Sequence, residues 1–382
     1  MTGISVPSRR RILLGGAASA LGLSAAPARA WAKPLAPGRP WVVFLNPGGA
    51  LITSDAVPLW PMAAQYMQRM ADTLNVRLDV KFANRDHLAM LKQASDLAHA
   101  APAPDYVILV NEKGMAPQML RMFLGGRTQL LVMHNRITAE QRRKIGNERG
   151  RQLPHWLGSV VADNMAGGYK LMAALFRQCA SEHPRVMGIT GDAGTPVSQE
   201  RVLGVRHFMD QAGRGHYLQT INANWSYPDA LRKTRMLFAR YHQADILWAA
   251  NDSMALGALQ VCEDLGVSTR VGGMGGWPDA LQSIIDGHMT ATVAGHFLLG
   301  AWTLALIHDH FQGLDFAENG NAELVLDYLT VLDRPRLVRA GWQSQDKLDH
   351  ADFACISRVA RPGAMSTLQR IHRLLSQAWG EP

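Results

Sequence analysis

Short runs of apolar residues alternate along this chain with longer stretches in which apolar positions recur every third or fourth residue. The runs Val42–Leu45, Val76–Phe82, Tyr106–Val110 and Gln129–Met133 are rich in Val, Leu, Ile and Met, as expected of strands buried on both faces. Between them lie amphipathic segments such as Pro58–Asn75, whose Leu59, Met62, Ala63, Tyr66, Met67, Met70 and Leu74 share one helical face. After a polar stretch over 140–152 the rhythm resumes with strand candidates Trp156–Val161, Val186–Thr190, Tyr217–Ile221, Ile246–Ala249 and Met289–Ala294. This alternation predicts βαβ units. Two sets of about four to five strands suit two parallel sheets better than one very wide one.

In open parallel sheets the ligand crevice lies beyond the carboxyl ends of the strands. The residues at those positions are Asn46, Asn111–Glu112, His134–Asn135–Arg136, Asp163–Asn164, Asp192, Asn222, Asn224–Trp225, Asn251–Asp252, Trp277 and Gly295–His296. They lack a nucleophile with a base and an orienting group, so catalysis is not expected. Asn, Asp, Arg and Trp are instead the types that hydrogen-bond hydroxyls and stack on apolar ring faces.

A length of 382 residues suits about two α/β domains. A hydrophobic fraction of 47% with 18% charged residues excludes a disordered or coiled-coil chain. The formal charge is +8, but four of the 39 basic side chains and none of the 31 acidic ones lie in residues 1–30. The remainder is only mildly basic, which argues against a nucleic-acid partner. Those first residues carry Ser8–Arg9–Arg10–Arg11, a short apolar stretch and Ala28–Arg29–Ala30, the order of an export signal with an A-x-A cleavage site. The paired arginines resemble a twin-arginine signal, although Ile12 and Leu14 depart from its commonest form. No later run of 18 apolar residues predicts a membrane span, so the expectation is a periplasmic protein without direct membrane insertion. Export also argues against NAD or ATP chemistry, and no cofactor is expected. Cys179, Cys262 and Cys355 show no metal spacing. Cys179 and Cys262 read as buried thiols, and one disulfide stays open as an alternative.

Three blocks resemble the type I periplasmic binding proteins, a group of ribose-, galactose- and autoinducer-binding proteins that shares its core fold with LacI-type repressors. They are Asp245–Leu259 around Asn251–Asp252, Gly158–Gly168 around Asp163–Asn164, and Gly188–Val205 with Arg201 on its helix. The resemblance covers roughly residues 40–330. It implies two doubly wound parallel-sheet lobes joined by a three-segment hinge. The first lobe would take 38–163 and 296–322, the second 164–295 and 323–335 with a strand near Leu324–Leu329, and 336–382 would form a C-terminal extension. Hinges are expected at Asp163/Asn164, Gly295/His296 and Ala322.

The same resemblance implies ligand contacts by Asn46 and a stacking Trp60 on one wall, Asn135 and Arg136 at a strand end, and Arg201 and Asn251 on the second lobe, with Asp163 at the hinge. Two positions depart from the family pattern. Gly275 stands where a sugar-binding Asp is usual, and Gly295–His296 replaces the hinge Gln. Trp277 and His296 are expected to fill that space, which puts a plain pentose or hexose in doubt. The implied activity is closure on a small polar, sugar-like ligand and its delivery to a membrane permease of an ABC transporter. The alternative is chemosensing, in which the closed protein signals through a membrane receptor, and a monomer is expected in either case. Other roles stay open for several of these residues: Asn251 and Asp252 suit helix N-caps, Asp163 suits a hinge brace, and Trp60 and Trp277 suit a core. His134 and His296 read as satisfied pocket or hinge histidines rather than metal ligands.

Overall fold

Strands rich in branched and aromatic residues, each followed by an amphipathic helix, can bury both sheet faces only in a layered α/β arrangement. A computed structural model, which describes residues 38–51, 58–317, 321–341 and 345–380, shows two such α/β lobes. The strands are β1 (Trp41–Asn46), β2 (Arg77–Phe82), β3 (Tyr106–Val110), β4 (Gln129–Met133), β5 (Trp156–Ala162), β6 (Arg185–Thr190), β7 (His216–Asn222), β8 (Ile246–Ala249), β9 (Arg270–Gly275), β10 (Ala291–Ala294), β11 (Glu323–Leu326) and β12 (Thr330–Asp333). One sheet runs β11-β5-β4-β3-β1-β2 and the other β12-β10-β9-β8-β6-β7. Neighbours are parallel except β12, which runs antiparallel to β10. The expected export leader, residues 1–30, lies outside the described residues.

The chain passes from the first sheet to the second after β5, at Asp163, and returns after β10, at Gly295. The third passage differs from the expectation. Glu323–Leu326 pairs with β5 and so belongs to the first sheet, while Thr330–Asp333 pairs with β10 in the second. The passage therefore lies at Asp327–Leu329 rather than at Ala322. A short apolar run such as Leu324–Leu329 fits either sheet edge by periodicity alone. The apolar pattern also misses β9, because glycine is depleted from strands. Its glycines are set by close packing: a Cβ on Gly272 would lie 2.8 Å from the Leu175 side chain, and one on Gly273 would lie 2.5 Å from Asp252.

The extension after β12 is ordered by contacts with the first lobe. Tyr66, on the helix Leu59–Thr73, donates to Asp349 at 2.9 Å, and the Phe353 ring stacks on Trp302 at 5.9 Å. The helix Thr367–Trp379 buries Ile371, Leu374, Leu375 and Ala378. Asp309 anchors the turn between these elements, accepting from the Arg358 amide at 2.7 Å and from the Ser357 hydroxyl. Asp309→Ala would strand the Arg358 amide and leave the Ser357 hydroxyl only His308 Nδ1, 3.2 Å away, and we expect it to remove about 3 kcal/mol of stability in chemical unfolding. A loss under about 0.5 kcal/mol would show that the anchor is dispensable. The cysteines are free thiols, with Cys262 buried and Cys179 and Cys355 half-buried. No helix among the described residues is long and apolar enough to cross a membrane.

Candidate functional site

Between the carboxyl ends of the two sheets lies a cavity of about 60 Å³. Leu59, Trp60, Arg85, Glu112, His134 and Asn135 line it from the first lobe. Thr195, Val197, Arg201, Trp225, Asn251, Met274, Gly275 and Trp277 line it from the second, and His296 from the crossing after β10.

Of the residues singled out in the sequence, Trp60, Asn135, Arg201, Asn251 and Trp277 meet at this cleft. Trp60 sits in the first turn of its helix, with Asn46 beneath it: the Asn46 amide donates to the Trp60 carbonyl at 3.1 Å and accepts from Gly48 N–H at 2.9 Å. A side chain on Gly48 would fall 2.3 Å from Trp60, so glycine there makes room for the indole. Asn46 thus holds the wall from behind. Arg136 turns to Glu200, 3.2 Å away on the helix Pro196–Ala212, and so ties one lobe to the other. Asp163 caps the helix Asn164–Arg177 through the Ala166 amide at 2.8 Å.

Asn251 and Asp252 do structural work at the cleft floor. The Asn251 side-chain oxygen accepts from Met254 N–H at 2.8 Å as an N-cap, while the side-chain nitrogen donates to the Trp225 backbone carbonyl at 3.1 Å. Asp252 is fully buried and accepts from the Thr292 hydroxyl at 2.6 Å, Gly276 N–H at 2.6 Å and Trp277 N–H at 3.0 Å. Burial pushes its carboxyl up to about 6, against the pull of these donors and of Arg201. This network seats Trp277, whose ring atoms lie 2.8 Å from where a Cβ on Gly275 would stand. The Trp277 indole therefore fills the space that a side chain at position 275 would occupy.

Arg201 is 4% exposed. Its Nε donates to the Asn164 side chain at 3.1 Å, one terminal nitrogen donates to the Ala250 carbonyl, and its guanidinium lies 5.7 Å from the Trp225 ring centre. Burial lowers its pKa to about 10, which leaves it charged at neutral pH.

The expectation that His134 and His296 are satisfied histidines is not met among the described residues. His134 Nδ1, both ring nitrogens of His296 and Trp277 Nε1 are buried without a hydrogen-bond partner among the described residues. Burial, and then Arg201, push the His134 imidazole down to about 3 and His296 well below its ordinary value, so both are neutral. Trp60 meets His134 edge-on at 5.0 Å. His134 and Trp225 hold φ of 71° and 63°, a left-handed backbone that costs a non-glycine residue about 1 kcal/mol or more and clusters at ligand sites. Buried polar atoms without partners in such a cleft are what a ligand satisfies.

Comparisons with known proteins agree with this architecture. The periplasmic binding protein domain family matches residues 154–315. A solved periplasmic sugar-binding protein from Pseudomonas fluorescens is 32% identical, superposes with a TM-score of 0.73, and is covered over 99% of its chain and 87% of this one. The chain is a type I periplasmic binding protein. This binding protein is also 26% identical over 227 residues to the ribose import binding protein of Haemophilus influenzae, across 59% of its own length and 72% of that relative's. A solute-binding protein from Actinobacillus succinogenes solved with D-allose shares its fold at a TM-score of 0.69 and 18% identity. These relatives are binding proteins rather than enzymes, and the family is periplasmic.

Arg85, Glu112, Thr195, Val197 and Met274 join the cleft wall without having been singled out as ligand contacts. For Arg85 the strand-end rule gives no signal, because it lies beyond the edge strand β2 on a left-handed turn at φ 64°. Glu112 did stand at a strand end. Burial raises its carboxyl pKa, and Arg85 and Lys113 oppose that rise.

Proposed function

We propose that this protein is an exported receptor whose lobes close on one small polar, ring-bearing ligand and present it to the permease of an ABC transporter. The observation that carries this reading is the convergence of Trp60 and Asn135 from one lobe with Arg201, Trp225 and Trp277 from the other on a single cleft. A guest touching both walls binds the closed form better than the open one and shifts the equilibrium by that difference. Tryptophans supply apolar ring faces, and the polar groups between them fix orientation. The extension packed on the first lobe favours a second reading, in which the closed form docks on a membrane sensor. Crosslinking in the native host separates the two by the partner captured.

The binding step is tested through Asn135. Its side chain makes no hydrogen bond to the described residues and is 5% exposed, so Asn135→Ala should leave the ligand-free protein within about 0.5 kcal/mol of wild type. In a thermal-shift screen of sugars, polyols, sugar acids and amino compounds, the variant should bind the ligand found for wild type about tenfold more weakly. Unchanged affinity would remove Asn135 from the site. A wild-type protein that answers no compound would count against the receptor reading itself.

A further inference from the structure

The cleft holds a buried guanidinium and several buried ring nitrogens that lack partners among the described residues. Arg201 forms no salt bridge with a carboxylate of the described residues; its bonds go to an amide oxygen and a backbone carbonyl. His296 brings two ring nitrogens without partners, His134 one, and Trp277 an indole N–H. These side chains are 3–6% exposed, and Arg201 and the two imidazoles lie within electrostatic reach of one another. Arg85 adds a second cation at the rim.

The acidic groups nearby are otherwise engaged. Asp252 accepts from Thr292, Gly276 and Trp277, Glu200 faces Arg136 and Asn164, and Asp163 caps a helix. Among the described residues Glu112 is the one carboxylate lining the cavity; burial raises its pKa, and Arg85 and Lys113 oppose that rise. At position 275, where a carboxylate would grip sugar hydroxyls, there is a glycine overlain by the Trp277 ring. Hydroxyl oxygens of a neutral polyol can accept from these N–H groups but bring no negative charge to the Arg201 guanidinium. A carboxylate brings both the acceptors and the opposite charge.

We propose that the cleft selects a small hydroxylated carboxylate, a sugar acid rather than a neutral sugar, with the carboxylate lodged among Arg201, His134 and His296. This rests on the receptor reading above and narrows its ligand class. The planar guanidinium fork matches carboxylate geometry. Each neutral imidazole supplies one N–H, and charge-assisted bonds in a dry cleft are the strong ones.

Matched series test it by calorimetry and thermal shift at pH 7: D-galactose, D-galacturonate, D-galactonate and galactose 6-phosphate, and the corresponding glucose, mannose and ribose compounds. The expected result is that the tightest ligand carries a carboxylate and binds at least about tenfold tighter than its neutral parent. His296→Leu removes two unpartnered nitrogens and breaks no internal hydrogen bond, so it should fold and lose most of that preference. A neutral sugar that binds tighter than its acid overturns the proposal while the receptor reading stands. So does a response to phosphates alone, or undiminished discrimination in His296→Leu. No response to any compound overturns the proposal and the receptor reading together.

Discussion

Asp252→Ala is expected to remove about 4 kcal/mol of folding stability and the ligand response with it. The carboxylate is fully buried and satisfies the Thr292 hydroxyl and the Gly276 and Trp277 amides. Alanine leaves all of these donors stranded in a dry site. It also frees the turn at Gly276, whose φ of 78° holds Trp277 against the cleft. Asn is the informative contrast. Its oxygen can accept from the two amides and its nitrogen can donate to Thr292, so Asp252→Asn should stay within about 1 kcal/mol of wild type at pH 7. Urea unfolding of the two variants checks this, and an alanine variant as stable as the asparagine one would contradict the role given to this network.

Lowering the pH from 7 to 5 should destabilise the ligand-free protein, with His134 responsible for about 2 kcal/mol. In the folded protein burial and Arg201 hold this imidazole near 3, whereas its ordinary value is 6.5. Below 6.5 the unfolded chain takes up a proton that the folded one refuses, so stability falls by about 1.4 kcal/mol per pH unit. His296 is shifted in the same direction and adds to the loss. Asp252 runs the other way: its folded pKa of about 6 lies above its ordinary 3.8. Its contribution is complete below 3.8 and is lost as the pH rises through 6, so acidification to pH 5 returns about 1 kcal/mol. The histidines prevail. His134→Gln should shrink the drop between pH 7 and 5 by about 2 kcal/mol in denaturant melts, and an unaltered drop would show that His134 is not held neutral.

Much of this fold is legible in the sequence because parallel strands buried on both faces advertise themselves as apolar runs: Tyr106–Val110, Gln129–Met133 and Ile246–Ala249 are strands with those same ends. The strand at Arg270–Gly275 is hidden, since its glycines answer to Leu175 and Asp252 across the packing, and no local pattern records a neighbour distant in sequence. Leu324–Leu329 shows the same limit. Its apolarity marks strands, but which sheet accepts them depends on edges set far away. At the site, the strand-end rule brought out Asn135, Asn251 and Trp277, and the family resemblance added Trp60 and Arg201. Neither could tell a ligand contact from the scaffold behind it. Asn46 and Asp163 stand outside the cavity lining, engaged with Trp60, Gly48 and Ala166, and Arg136 is drawn to Glu200. The unpartnered state of His134 and His296 is a property of the assembled cleft and has no sequence signature.

A crystal structure with the compound giving the largest thermal shift tests most directly whether one guest bridges both walls of the cleft. The ligand is expected to lie between Trp60 and Asn135 on one side and Arg201 and Trp277 on the other, with atoms within hydrogen-bond distance of His134 and His296. A ligand seated elsewhere, or held by one lobe alone, would contradict this.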